Sequence, residues 1–349
     1  MKRNRVIIDD VARLAGVSIK TVSRVLNQEP NVRAATREKV QLAVEQLNYQ
    51  PSLSARSLAG DRSHLIGLLY DNPSVNYIAG LQEGTQRRCR QSGYHLIAEP
   101  VGHDTNTMLE RVAMLQRQLR IDGVILTPPV CDNQEVIDLL NRHHTPFVLI
   151  APEHNHSSAA CVLMDDLMAA YDMTAYLIRL GHRNIAFIKG HPDHGASHLR
   201  YQGFRKAMKE HQLSVPRGYV RQGYFSYRSG MNCAEKLLSL EQPPTAIFAS
   251  NDDMAAGVMA AAHRHGIQVP ETLSVAGFDD SPVASVIWPQ LSTIRQPMAD
   301  MAATATELLI SQLSSGNREP DKQMLTRRYL DFELVLRGSC APPNQTGLD

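Results

Sequence analysis

Ile19, Lys20, Thr21, Ser23 and Arg24 lie within six positions of one another. Together they offer an apolar tip, two hydroxyls and two cations, a set suited to the base edges and phosphates of DNA. They can act together only if one element presents them on one face. Residues 9–27, DDVARLAGVSIKTVSRVLN, supply that element. Val11, Leu14 and Ala15 fall at helical spacing, Gly16 breaks the pattern, and Ser18 stands where an N-cap belongs. Val22, Val25 and Leu26 then mark the buried face of a second short helix. Two short helices joined by a glycine-containing turn form a helix-turn-helix, whose second helix enters the major groove. The polar face distinguishes this stretch from an ordinary helical hairpin.

A second set of polar residues follows apolar runs far down the chain. Asp71 follows LIGLLY, Asn251 and Asp252 follow TAIFAS, and Asp279 and Asp280 follow SVAGF. Open α/β sheets bind ligands beyond the carboxyl ends of their strands. Carboxylates placed there accept hydrogen bonds from vicinal hydroxyls, and Arg200 in HLRYQGF supplies donors. Asp252 also reads as the N-cap of the helix beginning DMAAG, and Asp280 as closing a turn before Ser281-Pro282. His191, His194 and His198, with Asp193, have spacing that could ligate a metal, but loop histidines beside a polar cleft are the commoner case; no metal or other cofactor is assigned.

The elements around these residues divide the 349-residue chain into a small head and a large body. Before residue 63 there are eleven Lys/Arg against six Asp/Glu, a net +5; the remainder carries −4. A basic head on a soluble body fits nucleic-acid binding. Ala34–Leu47 reads as a third helix, with Val40, Ala43, Val44 and Leu47 on one face. Ser52–Ala59 after Pro51 is helix-permissive but too short to be stable alone, since isolated helices below roughly 12–15 residues are marginal. It reads as a hinge that folds on DNA and offers Leu58 to the minor groove. From His64 onward, short apolar runs (64–70, 94–98, 122–127, 147–150, 184–188, 245–250 and 274–278) alternate with helical stretches such as Gly80–Gln91, Thr107–Arg117, Met168–Leu180 and Ala255–His265. Such alternation predicts parallel sheets covered on both faces.

Five scattered cysteines without a CxxC pair read as free thiols in a reducing cytoplasm. No apolar run is long enough to span a membrane. The basic N-terminus reaches Asp9 and Asp10 at once and does not read as a signal peptide. There is no GxGxxG after a strand, no Walker loop and no GxSxG elbow, which argues against an enzyme and leaves no residue assigned to catalysis.

Three groups of motifs, DVARLAGVSIKTVSRVLN, NYQPSLSARSLAG, and the set RLGHRNIAFI, ASNDDMAAG, VAGFDD and PQLSTIRQP, resemble the LacI/GalR family of bacterial transcriptional repressors over nearly the whole chain. The resemblance implies a helix-turn-helix domain (1–50), a hinge helix and linker (51–62), and an effector-binding and dimerisation domain (63–340) like a periplasmic sugar-binding protein. The body would comprise two Rossmann-like subdomains, about 63–163 with 293–325 and about 164–292 with 326–340, followed by a tail (341–349). It implies a homodimer on a pseudo-palindromic operator; the tail, with Pro342-Pro343 and no heptads, gives no tetramerising helix. Ile19 and Lys20 lie where family members choose their base sequence, with Arg24 one turn later. Ser18, Thr21, Ser23 and Asn27 would hold phosphates or cap the helix, and Ala55 and Leu58 would act from the hinge. Arg200, Asn251 and Asp279 lie at the family's effector-contacting positions, and Tyr77, Phe225 and Met298 at stacking or apolar ones. Asp71, Tyr77, Arg200, Phe225, Asn251 and Asp279 are the candidate effector residues. Two positions depart from familiar patterns: Ala151 stands where sugar-responsive members often place an acid, and His194 where purine-responsive members place an Arg. The implied function is a repressor of carbohydrate-utilisation genes, controlled by a small sugar or sugar phosphate. The alternatives are a nucleoside- or purine-responsive repressor and a plain sugar-binding protein.

Overall fold

A computed structural model of the chain describes residues 6–26, 29–49, 62–153, 159–315 and 326–344. Contacts divide it into a small unit built on Met1–His64 and a large one that takes up at Leu65.

In the small unit, α1 (Ile8–Ala15) ends at Gly16, whose φ of +64° closes the helix in a conformation that favours glycine. α2 (Ile19–Leu26) begins at Ser18, whose Oγ accepts the Thr21 N–H at 3.2 Å, so Ser18 is its N-cap. α3 (Ala34–Gln46) completes a core of Val11, Ala12, Val22, Val25, Val40, Ala43 and Tyr49. Leu14, at helical spacing with Val11 and Ala15, is 50% exposed. The buried stripe of α1 runs through Val11 and Ala12 with Ile8 and Ala15 beside it, and Leu14 falls off it.

The large unit contains two parallel sheets. The first has strand order β11-β5-β4-β3-β1-β2, from β1 (Leu65–Tyr70), β2 (His95–Pro100), β3 (Gly123–Leu126), β4 (Phe147–Ile150), β5 (Ala160–Leu163) and β11 (Arg327–Tyr329). The second has order β7-β6-β8-β9, from β6 (Ile185–Lys189), β7 (Val220–Gln222), β8 (Ala246–Ala249) and β9 (Ser274–Ala276). β3, β4 and β8 are buried along their whole length, the pattern of strands covered on both faces. α4 (Val75–Gln91) and α12 (Met298–Ser315) pack together on the first sheet's lobe. α7 (Asp166–Arg179) and α8 (Gly195–Glu210) pair on the second lobe, as do α9 (Tyr227–Leu238) and α10 (Asp252–Arg264). Phe187, Phe204 and Phe248 meet at 4.9–5.3 Å in the core of that lobe.

Between the lobes, β10 (Thr293–Arg295) pairs antiparallel with β12 (Glu333–Val335). β11 pairs parallel with β5, Arg327 opposite Cys161. The segment 327–329 is therefore an edge strand of the first sheet and not part of the second subdomain, where the sequence reading put it. Three exposed residues in a row gave no apolar signal to place it. Among the described residues, no helix is long and apolar enough to cross a membrane.

Candidate DNA-binding face and effector cleft

On α2, Ile19, Lys20 and Arg24 are exposed, and Thr21 and Ser23 are half-buried over the Val22–Val25 core. The short helix thus turns its apolar side inward and displays the candidate contacts together. Ser18 bonds the Thr21 backbone N–H, and its Oγ lies 2.9 Å from Thr21 Oγ1, so both hydroxyls already stiffen the start of the helix. Arg24 lies 3.5 Å from Glu29, an exposed pair that is easily broken in favour of a phosphate. Asn27, Ala55 and Leu58 lie outside the described residues.

In the body, a cavity opens between the two lobes. Five of the six predicted effector residues line it: Tyr77, Arg200, Phe225, Asn251 and Asp279. They come from α4, from α8, and from the ends of β7, β8 and β9. Asp71 does not line the cavity. Its carboxylate turns to His103, 2.5 Å away. Trp288, before Pro289, is 89% exposed and does not line the cavity.

Arg200 organises the floor. Its Nε donates to Asp166 Oδ1 at 2.8 Å and its Nη1 to the Ser250 carbonyl at 2.6 Å. Its guanidinium lies 3.6 Å from the centre of the Phe278 ring, a cation–π contact shielded from water. Asp279 Oδ1 is 3.8 Å from Arg200 and accepts from Gln296 Nε2 at 2.6 Å. Burial pushes the Asp279 carboxyl up to about 7, against the pull of Arg200 and Gln296. Burial also raises Asp166, again opposed by Arg200. His194 is held neutral, its pKa lowered to about 3 by burial and then by the neighbouring His191 and Arg200. The Tyr77 phenol is raised, mainly by burial.

Asn251, not Asp252, caps α10. Its Oδ1 accepts from Met254 N–H at 3.0 Å, and its Nδ2 donates to the Phe225 carbonyl. Asp252 instead accepts from Thr293 Oγ1 (2.6 Å) and the Ser281 N–H (2.7 Å), joining three segments inside the protein. Asp280 accepts from Arg295 (2.7 Å) and Arg337 (2.6 Å), which links the crossover strands and goes beyond closing a local turn.

The backbone of the site is held in sparsely populated conformations. Ala151, Phe225 and Asp279 line the cavity with φ of +48°, +56° and +121°. Gly190 lets Phe225 in: a Cβ there would lie 2.1 Å from Phe225 Cζ and 2.4 Å from Ser197 Oγ. Asp166, Gln296 and Ser74 were missed by the sequence reading, and His194 entered it as a possible metal ligand and as a departure from pattern, not as an effector residue. Asp166 and Ser74 open α7 and α4, so helix-start signals could have found them; Gln296 carried no such signal. The histidine cluster does not hold together as spaced. His191 and His194 approach at 5.3 Å, whereas His198 faces a groove on the outer side of α8.

Comparisons with known proteins agree with this architecture. Residues 7–52 match the family described as bacterial regulatory proteins, lacI family, and residues 174–340 match a periplasmic binding protein-like domain. The ribose operon repressor of Escherichia coli K12 is 36% identical over 91% of this chain and 96% of its own length. The repressor PurR of Vibrio cholerae is 35% identical over 89% and 93%. Among solved structures, a lac repressor dimer bound to operator and an anti-inducer superposes with a TM-score of 0.80 at 28% identity, covering 97% of this chain and all of that one. A CelR–cellobiose complex gives 0.71 at 28% identity, covering 96% and 100%. From its head motif to its crossover strands, the chain belongs to the lacI family of bacterial regulatory proteins.

Proposed function

We propose that the protein is a cytoplasmic homodimeric repressor of carbohydrate-utilisation genes whose operator affinity is set by a small sugar in the cleft. The observation that carries the effector half is the cavity: one buried arginine, buried carboxylates and two aromatic rings converge on it from both lobes. Rings cover the apolar faces of a sugar while carboxylates and guanidinium meet its hydroxyls. On the DNA side, Ile19, Lys20 and Arg24 select bases, and Ser18, Thr21, Ser23 and Asn27 hold phosphates and the helix start. Two such helices one DNA turn apart match a two-fold operator. Ala55 and Leu58 complete the contact from the hinge. The relatives named PurR favour a second reading, a nucleobase effector.

The effector acts by binding one arrangement of the lobes better than another. Binding of the purified protein to DNA upstream of its own and neighbouring genes, at several salt concentrations and with sugars and nucleobases added, tests the whole reading. Tight, salt-steep binding released by one sugar supports it. Binding that requires an added nucleobase favours the second reading. Sugar binding without DNA binding at any salt refutes the repressor. Leu58→Gly should weaken specific binding far more than nonspecific binding; equal loss in both refutes the hinge role.

A further inference from the structure

α8 has two working sides. Its inner side brings Ala196 and Arg200 to the cavity. Its outer side forms one wall of a groove whose other wall is the loop 212–218 with Val220 of β7, the edge strand of the second sheet. His198, Arg205, Lys206 and Lys209 line the groove from the helix and Arg217 from the loop, and all five are exposed. Among the described residues, no Asp or Glu lines it, and none of its lysines and arginines is held in an ion pair. Glu210, at the end of α8, instead accepts from the Tyr171 hydroxyl at 2.7 Å.

This grouping of like charges works against the helix. Arg205 and Lys209 are four residues apart and Lys206 and Lys209 three, the spacings at which like-charged side chains meet and destabilise a helix. Arg221 adds to the excess. It is half-buried, its Nη2 would lie 3.5 Å from a Cβ at Gly218, and its Nε is buried with no hydrogen-bond partner. An anion in the groove would relieve both costs.

Shape and floor decide which anion. From His198 to Lys209 the helix runs about 16 Å at 1.5 Å per residue, far longer than one phosphate or carboxylate group. An extended polypeptide at roughly 3.3 Å per residue covers it with about five residues. Met208, Leu213, Val215 and Pro216 give the floor an apolar stripe between the cations. A nucleic-acid strand needs open aromatic faces on which its bases stack. Tyr201, the aromatic residue that lines the groove, has Lys189 Nζ over its ring at 4.1 Å and the Phe204 ring stacked at 6.4 Å.

We infer that this groove docks an extended acidic segment of a partner protein. Its carboxylates meet the cations of α8 and of the loop, and its alternate apolar side chains lie on the floor, as the two-residue period of an extended chain allows.

The test is fluorescence anisotropy of the full-length protein with a labelled peptide, acetyl-DVELDVEL-amide. The same peptide with lysine at every acidic position and a short oligo(dT) strand serve as controls. The acidic peptide should bind at low salt, weaken as salt rises, and bind more tightly than either control. The basic head also attracts anions, so the double variant Arg205→Glu/Lys209→Glu makes the assignment. Both positions are exposed, and circular dichroism checks that the fold is kept. The variant should bind the acidic peptide about tenfold more weakly, the size expected when exposed charge pairs become repulsions. Arg217→Glu, on the opposite wall, should lower affinity in the same direction and carries the test if the double variant does not fold. An acidic peptide that binds no better than its lysine counterpart, or equally well to wild type and variants, overturns the inference. Oligo(dT) that binds more tightly than the peptide and is lost in the variants makes the groove a nucleic-acid site and overturns it too. So does assembly beyond a dimer that the variants abolish, which would make a second copy of the chain the occupant.

Discussion

Replacing Arg200 by Gln isolates what holds the cleft floor together. The arginine and its partner Asp166 are each only 4% exposed. The substitution removes the 2.8 Å bond to Asp166, the 2.6 Å bond to the Ser250 carbonyl and the contact with the Phe278 ring. Breaking one side of a buried ion pair costs about 3–5 kcal/mol, because the other charge is left unpaired. At roughly 2–4 °C per kcal/mol for a domain of this size, the melting temperature should fall by about 10 °C. The loss should depend on pH. Burial already raises Asp166, and Arg200 holds it down; without the arginine it rises further. A carboxyl whose folded pKa exceeds its unfolded value binds its proton more tightly when folded, so it disfavours folding above that pKa and the penalty is relieved as pH falls. The variant should therefore lag the wild type most at pH 8 and least at pH 5. Adding Asp166→Asn should recover part of the loss at pH 8. Urea unfolding followed by circular dichroism is the appropriate assay, since the single tryptophan, Trp288, is exposed in the folded state and reports poorly on the core. A variant within about 1 kcal/mol of wild type at both pH values, with no effect of Asp166→Asn, would refute the reasoning.

In the wild type, the Asp279 carboxyl at about 7 makes the body more stable as pH falls, with little change above pH 7 and a steady gain from about pH 7 down to pH 5; urea midpoints flat over that range would contradict the burial argument. Lys20→Ala should relax base preference at one operator position by about 1–3 kcal/mol, measured by anisotropy on operator variants; a uniform loss on every sequence would make Lys20 a phosphate contact. Gly190→Ala should displace Phe225 and weaken sugar binding, at a stability cost of about 1–3 kcal/mol from overpacking; unchanged sugar affinity would mean that Phe225 does not shape the site. Asp253→Ala breaks the bonds from Ser74 (2.8 Å) and Asn76 (3.4 Å) across the cleft and should change the effector Kd by roughly 5- to 30-fold, the equivalent of about 1–2 kcal/mol; a Kd equal to wild type would show that effector binding does not depend on them.

The parts legible in the sequence were those governed by local rules. The Gly16 turn, the Ser18 cap and the Val22–Val25 stripe follow from helix geometry within a few residues. The strand-end positions of Asn251 and Asp279 follow from apolar runs that stop abruptly. What stayed hidden depended on distant partners. Nothing in the sequence around Asp166 announces that Arg200, 34 residues on, will bond it. Nor does LIGLLYD say that Asp71 turns towards His103 and away from the cavity. Asn251 and Asp252 show the limit most sharply: either could cap α10, and the choice was made by Thr293 and Ser281, which take Asp252 for themselves. The positive φ of Phe225 was equally invisible, because the gap that admits its ring is a glycine 35 residues earlier.

The placement of Asp279 joins ligand sensing to the crossovers. Its N–H donates to the Ile294 carbonyl at 2.8 Å, so the cavity wall is hydrogen-bonded directly to β10. The next residue, Asp280, accepts from Arg295 on β10 and from Arg337 beyond β12. In the proposed function, a sugar hydroxyl on Asp279 would pull on a carboxylate one residue from the point where two crossover segments are tied together. At the cavity mouth the lobes also touch through Ser74 and Asp253, through Glu153 and Gly195, and through the stacked rings of His103 and His191 at 6.1 Å. Those contacts exist only while the lobes are near each other, whereas the Asp280 tie does not require closure. A ligand that strengthens the first set without straining the second has different affinities for the two arrangements, and that difference is the whole of what an effector can use to shift operator binding.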